Sequence, residues 1–162
     1  MSVVRIMVPV LLLASAACGA FGSGGAVELS TGGADAGSQW NATLSSPAAL
    51  AGVVQMTGTA SMAPSPDSAS TIVTINLANA SPGGVHPWEI RSGDCGVTSR
   101  ATTFGSGDAY EPLEVDSDGR ATSTATIDSR IPTSGRYSAV VQASAANDTT
   151  IVACGNLAAP TR

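Results

Sequence analysis

The segment TIVTINL, residues 71–77, places Val73, Ile75 and Leu77 at every second position. In an extended chain these three side chains lie on one face, and a period of two is typical of antiparallel strands with one buried face. Three further segments alternate in the same way: 53–60, 121–127 and 137–143. The alternation predicts an all-β fold.

Short turn sequences separate these strands. They combine Pro, Gly, Asp and Ser, which suit tight backbone turns: PSPD at 64–67, SPGG at 81–84, DSDG at 116–119 and PTSG at 132–135. Evenly spaced strands without a helical period predict a Greek-key β-sandwich or barrel of about eight antiparallel strands.

Composition restricts both size and function. A length of 162 residues suits one folded domain. Charged residues make up 12% of the chain, roughly half the usual share of about 25%, and 18 Gly with 9 Pro argue against long helices. The net charge is −5 and Lys is absent, so the chain lacks the basic surface that nucleic-acid binding requires.

The N-terminus has the pattern of an export signal. Arg5 precedes an apolar run at 6–13, and small residues follow as far as Cys18. The run is shorter than the ~20 residues that span a bilayer. Two processing routes remain open. Signal peptidase could cut after Ala16 or Ala17, or Cys18 could become the lipidated first residue of a bacterial lipoprotein.

Cysteine counting favours lipidation. The exported chain has three cysteines, so one is left over if the other two form a bridge. Cys95 and Cys154 lie in the folded part, where a structural disulfide is expected in an oxidising compartment. Lipidation of Cys18 then accounts for the third, although a free thiol is the alternative.

These features divide the chain into a signal peptide at 1–17, a flexible tether at 18–39 and a folded β-domain at 40–162. The tether is rich in Gly, Ala and Ser without apolar periodicity. The predicted location is the bacterial cell envelope, either the periplasm or the outer surface. Membrane attachment is expected only through the lipid anchor. For the segment 18–39, the alternative to a functional tether is an N-terminus that is simply disordered.

The segment GVHPWEIRSGDC at 84–95 resembles the copper/zinc superoxide dismutase family, which carries Gly-x-His-x-x-His-x-His followed by Gly-Asp-Cys. Two later segments resemble further motifs of that family: YEPLEVDSDGRA at 110–121 and IVACGNL at 151–157. The resemblance covers roughly 50–157. It implies an eight-stranded Greek-key barrel and a disulfide between Cys95 and Cys154.

The resemblance also locates the family's copper ligands, and none of those positions is a histidine here. They are occupied by Glu89, Arg91 and Gln142. Imidazole suits copper, whereas arginine puts a fixed positive charge where a cation would sit. His86 is the chain's single histidine, and it matches the family's structural histidine, which is not a ligand.

The zinc site and the active-site arginine are missing as well. The segment 96–109, which corresponds to the zinc-binding loop, offers only Asp108 as a plausible ligand. The position of the active-site arginine is Ile151. The sequence therefore predicts no functional metal site, no cofactor and no catalytic residue.

The vacated copper position is expected to hold a polar cluster. In a strand, Glu89 and Arg91 share one face, and the resemblance brings Gln142 to them on the outer face of the barrel. A guanidinium can donate to a carboxylate and to an amide oxygen, so the three side chains can satisfy one another without a cation.

The favoured hypothesis is a binding or structural module with an unidentified envelope partner. Two alternatives stay open. One is a superoxide dismutase with substitute metal ligands. The other is a copper carrier in which Met56, Met62 and His86 hold copper(I), although ordinary core packing is the better explanation for methionines. Fold resemblance cannot decide among them, because function resides in the site.

Overall fold

Residues with β-branched and small side chains form nine strands in the described part of the chain. The computed structural model describes residues 38–50, 52–53, 55–97 and 101–160. The strands are β1 Trp40–Ser45, β2 Thr57–Pro64, β3 Thr71–Ala78, β4 Val85–His86, β5 Trp88–Ser92, β6 Leu113–Glu114, β7 Ala121–Ile127, β8 Tyr137–Ser144 and β9 Asn147–Leu157. The signal peptide, Cys18 and nearly all of the tether lie outside the described residues.

Antiparallel pairing joins seven of the strands into one curled sheet in the order β5-β8-β9-β1-β2-β3-β7. The short strands β4 and β6 form a separate two-stranded sheet. The prediction of an all-β fold is confirmed. Among the residues that the structure describes, no helix has the length and apolar character needed to cross a bilayer.

The core lies on one face of the curled sheet. Val73, Ile75 and Leu77 are at most 3% exposed, as their alternation predicts. Fully burying such a side chain contributes roughly 1.5–3 kcal/mol. The largest fully buried apolar side chains include Trp40, Leu44, Met62, Ile90 and Leu113.

One strand is displaced from its predicted position. The segment 53–60 was expected to be extended, but β2 begins at Thr57 and continues through Pro64. The ladder with β3, from Thr57 opposite Ala78 to Pro64 opposite Thr71, determines these bounds. Tertiary pairing therefore overrides the local pattern, and Val53 is left 84% exposed. By contrast, β3, β7 and β8 end within one residue of the predicted limits.

The disulfide between Cys95 and Cys154 is present, and the two Cα atoms lie 5.9 Å apart. This separation is inside the range of about 4.4–6.8 Å that a bridge requires, so the predicted pairing is confirmed. The bridge joins the loop that follows β5 to the middle of β9. It thereby ties that loop to the part of the sheet that carries the candidate site.

Candidate functional site

Strand β5 separates its side chains between two environments. Trp88 and Ile90 face the core and are 2% and 0% exposed. Glu89 and Arg91 point to the opposite, outer face, where both are partly buried. The alternation follows from the pleat of a strand, in which successive side chains point to opposite faces.

Glu89 and Arg91 form an ion pair on this outer face. The Arg91 Nε–H donates to Glu89 Oε1 over 2.7 Å, and Arg91 Nη2 lies 2.5 Å from the same oxygen. The side chains are only 21% exposed for Arg91 and 15% for Glu89. The carboxylate therefore neutralises the guanidinium in a setting where water screens the pair only weakly.

Gln142 joins the pair from strand β8. Its side chain is buried, and its Nε2 donates to Glu89 Oε1 over 3.4 Å. The structure thus brings Glu89, Arg91 and Gln142 together. The bonding differs from the expectation in one respect: Glu89, and not Arg91, accepts the amide contact. The negatively charged carboxylate is a stronger acceptor than a neutral amide oxygen, so the Gln142 amide turns its NH₂ group toward Glu89.

Thr103 is a fourth member that the sequence interpretation missed. Its hydroxyl donates to Glu89 Oε2. The backbone explains its position, because 102–104 runs along the open edge of β5: Ser92 N–H donates to Thr102 O over 2.9 Å, and Phe104 N–H donates to Ile90 O over 2.8 Å. The only signal in the sequence was a pair of threonines in a presumed loop, and nothing local pointed to this contact.

Tyr110, at the end of the same loop, lies on the core side of β5 and is 7% exposed. Its ring packs edge-on against Trp88, with centroids 5.0 Å apart, and its hydroxyl donates to Phe104 O over 2.6 Å. Burial raises the pKa of Tyr110 far above its usual range, and the negative charge of Glu89 raises it further. The phenol is therefore held neutral as a hydrogen-bond donor.

His86 connects the small sheet to the end of β8. Its Nδ1 lies 3.1 Å from Gln142 O and 3.0 Å from Ala143 O. Both partners are acceptors, so Nδ1 carries the proton and donates to them. The other ring nitrogen, the buried Nε2, has no partner among the described residues. A Cβ at Gly84 would lie 2.8 Å from Nε2, so a side chain at position 84 would clash with the ring.

Copper and zinc, the metals that the resemblance implies, do not suit these residues. The cluster offers one carboxylate, one amide and one hydroxyl, and a guanidinium already occupies the carboxylate. In the parts of the chain that the structure describes, no three His, Cys, Asp or Glu side chains lie close enough to hold a metal ion. Asp108 stands exposed in the 3-10 turn Gly107–Ala109.

The methionines of the copper-carrier hypothesis belong to the core. Met62 is fully buried on β2, and Met56 is 5% exposed just before it. Both side chains are members of the main apolar cluster. Their placement agrees with ordinary packing, in which methionine fills irregular gaps.

No protein-family model matches the chain, and no curated protein matches it. The fold and the site by themselves describe a disulfide-linked antiparallel β-domain. Its outer face carries a cluster of Glu89, Arg91, Gln142 and Thr103, called the Glu89 cluster below.

Proposed function

We propose that the chain is an exported, lipid-anchored β-domain related to the copper/zinc superoxide dismutases, and that it acts as a binding or structural module of the bacterial cell envelope. In this proposal the copper position is occupied by the Glu89 cluster, and the domain carries out no metal chemistry. Three sequence motifs in the family's order, 84–95, 110–121 and 151–157, support the relationship.

The connections between strands support a Greek-key arrangement. β3 lies beside β7 in the sheet although β4, β5 and β6 come between them in the chain. β7 and β8 follow one another in sequence yet stand well apart in the strand order. Long connections that return a strand beside an earlier one are the defining feature of Greek-key folds.

The observation that carries the functional proposal is the ion pair of Glu89 and Arg91. A guanidinium keeps its charge at every physiological pH, and it lies against the carboxylate that a metal would otherwise use. Dismutation needs a metal that changes oxidation state, and Glu89 here accepts hydrogen bonds from Arg91, Gln142 and Thr103 instead.

Metal content after loading tests this proposal. The purified chain is incubated with copper and zinc, dialysed, and measured by elemental analysis. We expect no stoichiometric metal. Stoichiometric copper with dismutase activity would overturn the proposal, and copper without activity would instead favour the carrier hypothesis that uses Met56, Met62 and His86.

The anchor is tested separately with Cys18→Ser. If Cys18 is lipidated, the unaltered chain should sediment with membranes and the variant should be released or misprocessed. Ser23→Ala, a neighbouring change in the tether, is the matched control and should leave sedimentation unchanged. A lipidated Cys18 would have to carry more than one acyl chain, because a single chain anchors a protein only weakly. If the unaltered chain and both variants are soluble, the protein is simply secreted.

A further inference from the structure

The outer face of β1, β2, β3 and β7 carries two rows of uncharged polar side chains. The pairing registers align one row as Thr43, Thr59, Asn76 and Thr122. They align a second row as Asn41, Ser61, Thr74 and Thr124. We call these two rows the hydroxyl face. Each member carries a hydroxyl or an amide, so each both donates and accepts hydrogen bonds.

The two halves of the hydroxyl face differ in how many of their side chains hydrogen-bond to one another. On the β3–β7 half, Thr122 donates to Asn76 over 2.9 Å, and the hydroxyls of Thr74 and Thr124 lie 3.3 Å apart. On the β1–β2 half, the side chains of Asn41, Thr43, Thr59 and Ser61 make no hydrogen bond to any other described residue.

A groove lies along this second half and extends to Asn76 of β3. It has a volume of about 390 Å³, and its polar lining comes from Gln39, Asn41, Thr43, Thr59, Ser61 and Asn76. A concave surface and free donors and acceptors therefore occur at the same place.

The spacing of the rows suits an extended chain of sugar rings. Neighbouring strands lie about 4.8 Å apart, which is close to the length of one ring in an extended glycan. The two rows are two residues apart along each strand, or about 7 Å. A flat sugar ring placed between them presents hydroxyls along both edges, so each row faces one edge of the glycan.

We propose that the hydroxyl face binds a neutral, extended glycan. This inference rests on the proposed function as an envelope binding module, and it names the partner. The absence of charge on both rows, in a chain of net charge −5, points to a neutral ligand. Protein interfaces centre on aromatic residues, methionine and arginine, and this face has none of them.

The expected affinity for a short glycan is low. The face offers hydrogen bonds that replace bonds to water, and each such exchange contributes little net free energy. It offers no aromatic ring for stacking. A polymer that engages several copies of an anchored protein binds with higher overall affinity, because each further contact forms at a high effective concentration. Weak single sites are then sufficient to hold the polymer at a surface.

Amide chemical shifts of the full chain, titrated with cellohexaose as the neutral probe, test the proposal. We expect shifts concentrated in β1 and β2, with a dissociation constant in the millimolar range. The double variant Thr59→Val and Ser61→Ala should weaken binding at least fivefold, since it removes two hydrogen-bonding groups. Valine is favoured in strands, so the fold should persist.

Thr126→Val is the matched control, because Thr126 is an exposed threonine of β7 outside both rows. It should leave the affinity unchanged. The proposal is overturned if cellohexaose causes no shifts, if the shifts lie away from β1 and β2, or if a charged oligogalacturonide of equal length binds more tightly. These outcomes leave the metal-loading result untouched, so failure of the glycan proposal and failure of the proposed function are distinguishable.

Discussion

The Arg91 guanidinium lies 2.5 Å from the Glu89 carboxylate, and the two residues are neighbours on the same face of β5. A second pair, Arg136 with Asp94, has a similar separation of 2.8 Å. Its side chains are 77% and 38% exposed, against 21% and 15% for the first pair. The two pairs have the same chemistry in different solvent environments, which makes them a direct internal comparison.

Arg91→Met should lower the free energy of unfolding by about 2 kcal/mol, because it leaves the partly buried Glu89 carboxylate without its cation. Arg136→Met, the exposed control, should cost at most about 1 kcal/mol. Urea unfolding followed by tryptophan fluorescence measures both values. Equal effects of the two substitutions would show that burial of the Glu89 cluster adds nothing.

Introducing three imidazoles should create copper affinity. The variant that combines Glu89→His, Arg91→His and Gln142→His places three good copper ligands around one point, since the native side chains already meet there. Copper(II) titration with electron paramagnetic resonance measures the binding. The unaltered protein and the single variant Gln142→His are the controls, and neither should bind. A folded triple variant without affinity would show that the three positions do not converge on a metal-sized site.

Loss of the disulfide should destabilise the domain strongly. The bridge spans 59 positions, and in the chain-entropy treatment such a loop contributes ~4 kcal/mol. Cys95→Ala combined with Cys154→Ala should therefore shift the urea midpoint well below that of the unaltered protein. Added reductant should lower the midpoint of the unaltered protein and leave that of the double variant unchanged. If complete reduction leaves the urea midpoint unchanged, the bridge contributes nothing to the free energy of unfolding.

Alkaline pH should destabilise the fold through Tyr110. Burial raises the pKa of Tyr110 in the folded state, whereas the unfolded value is about 10. The stabilising contribution of the neutral phenol is therefore complete below about pH 10, and it declines as the pH rises further. Unfolding free energies measured across this range should fall in the unaltered protein and in Tyr137→Phe, and less steeply in Tyr110→Phe. The same slope in all three would contradict the assignment to Tyr110.

Local sequence was sufficient to locate β3, β7 and β8, and to identify the buried face of β3 and β7. The alternation in 71–77 and 121–127 specifies which side chains are apolar, and burial of those side chains then dictates which face turns inward. It was insufficient for the bounds of β2, because one alternation, with Met56, Ala60 and Met62 buried, runs through both 53–60 and 57–64. Only the ladders to β1 and β3 determine that the strand runs from Thr57 to Pro64.

The Glu89 cluster likewise has one part that follows from the sequence and another that depends on the tertiary structure. The sequence by itself determined that Glu89 and Arg91 share a face, since that depends only on the pleat of one strand. The tertiary structure decided that Glu89 is the shared acceptor and that Thr103 completes the cluster. Those contacts join β5 to β8 and to residues 102–104, which run along the edge of β5. These segments are distant along the chain, so their approach depends on the packing of the whole sheet.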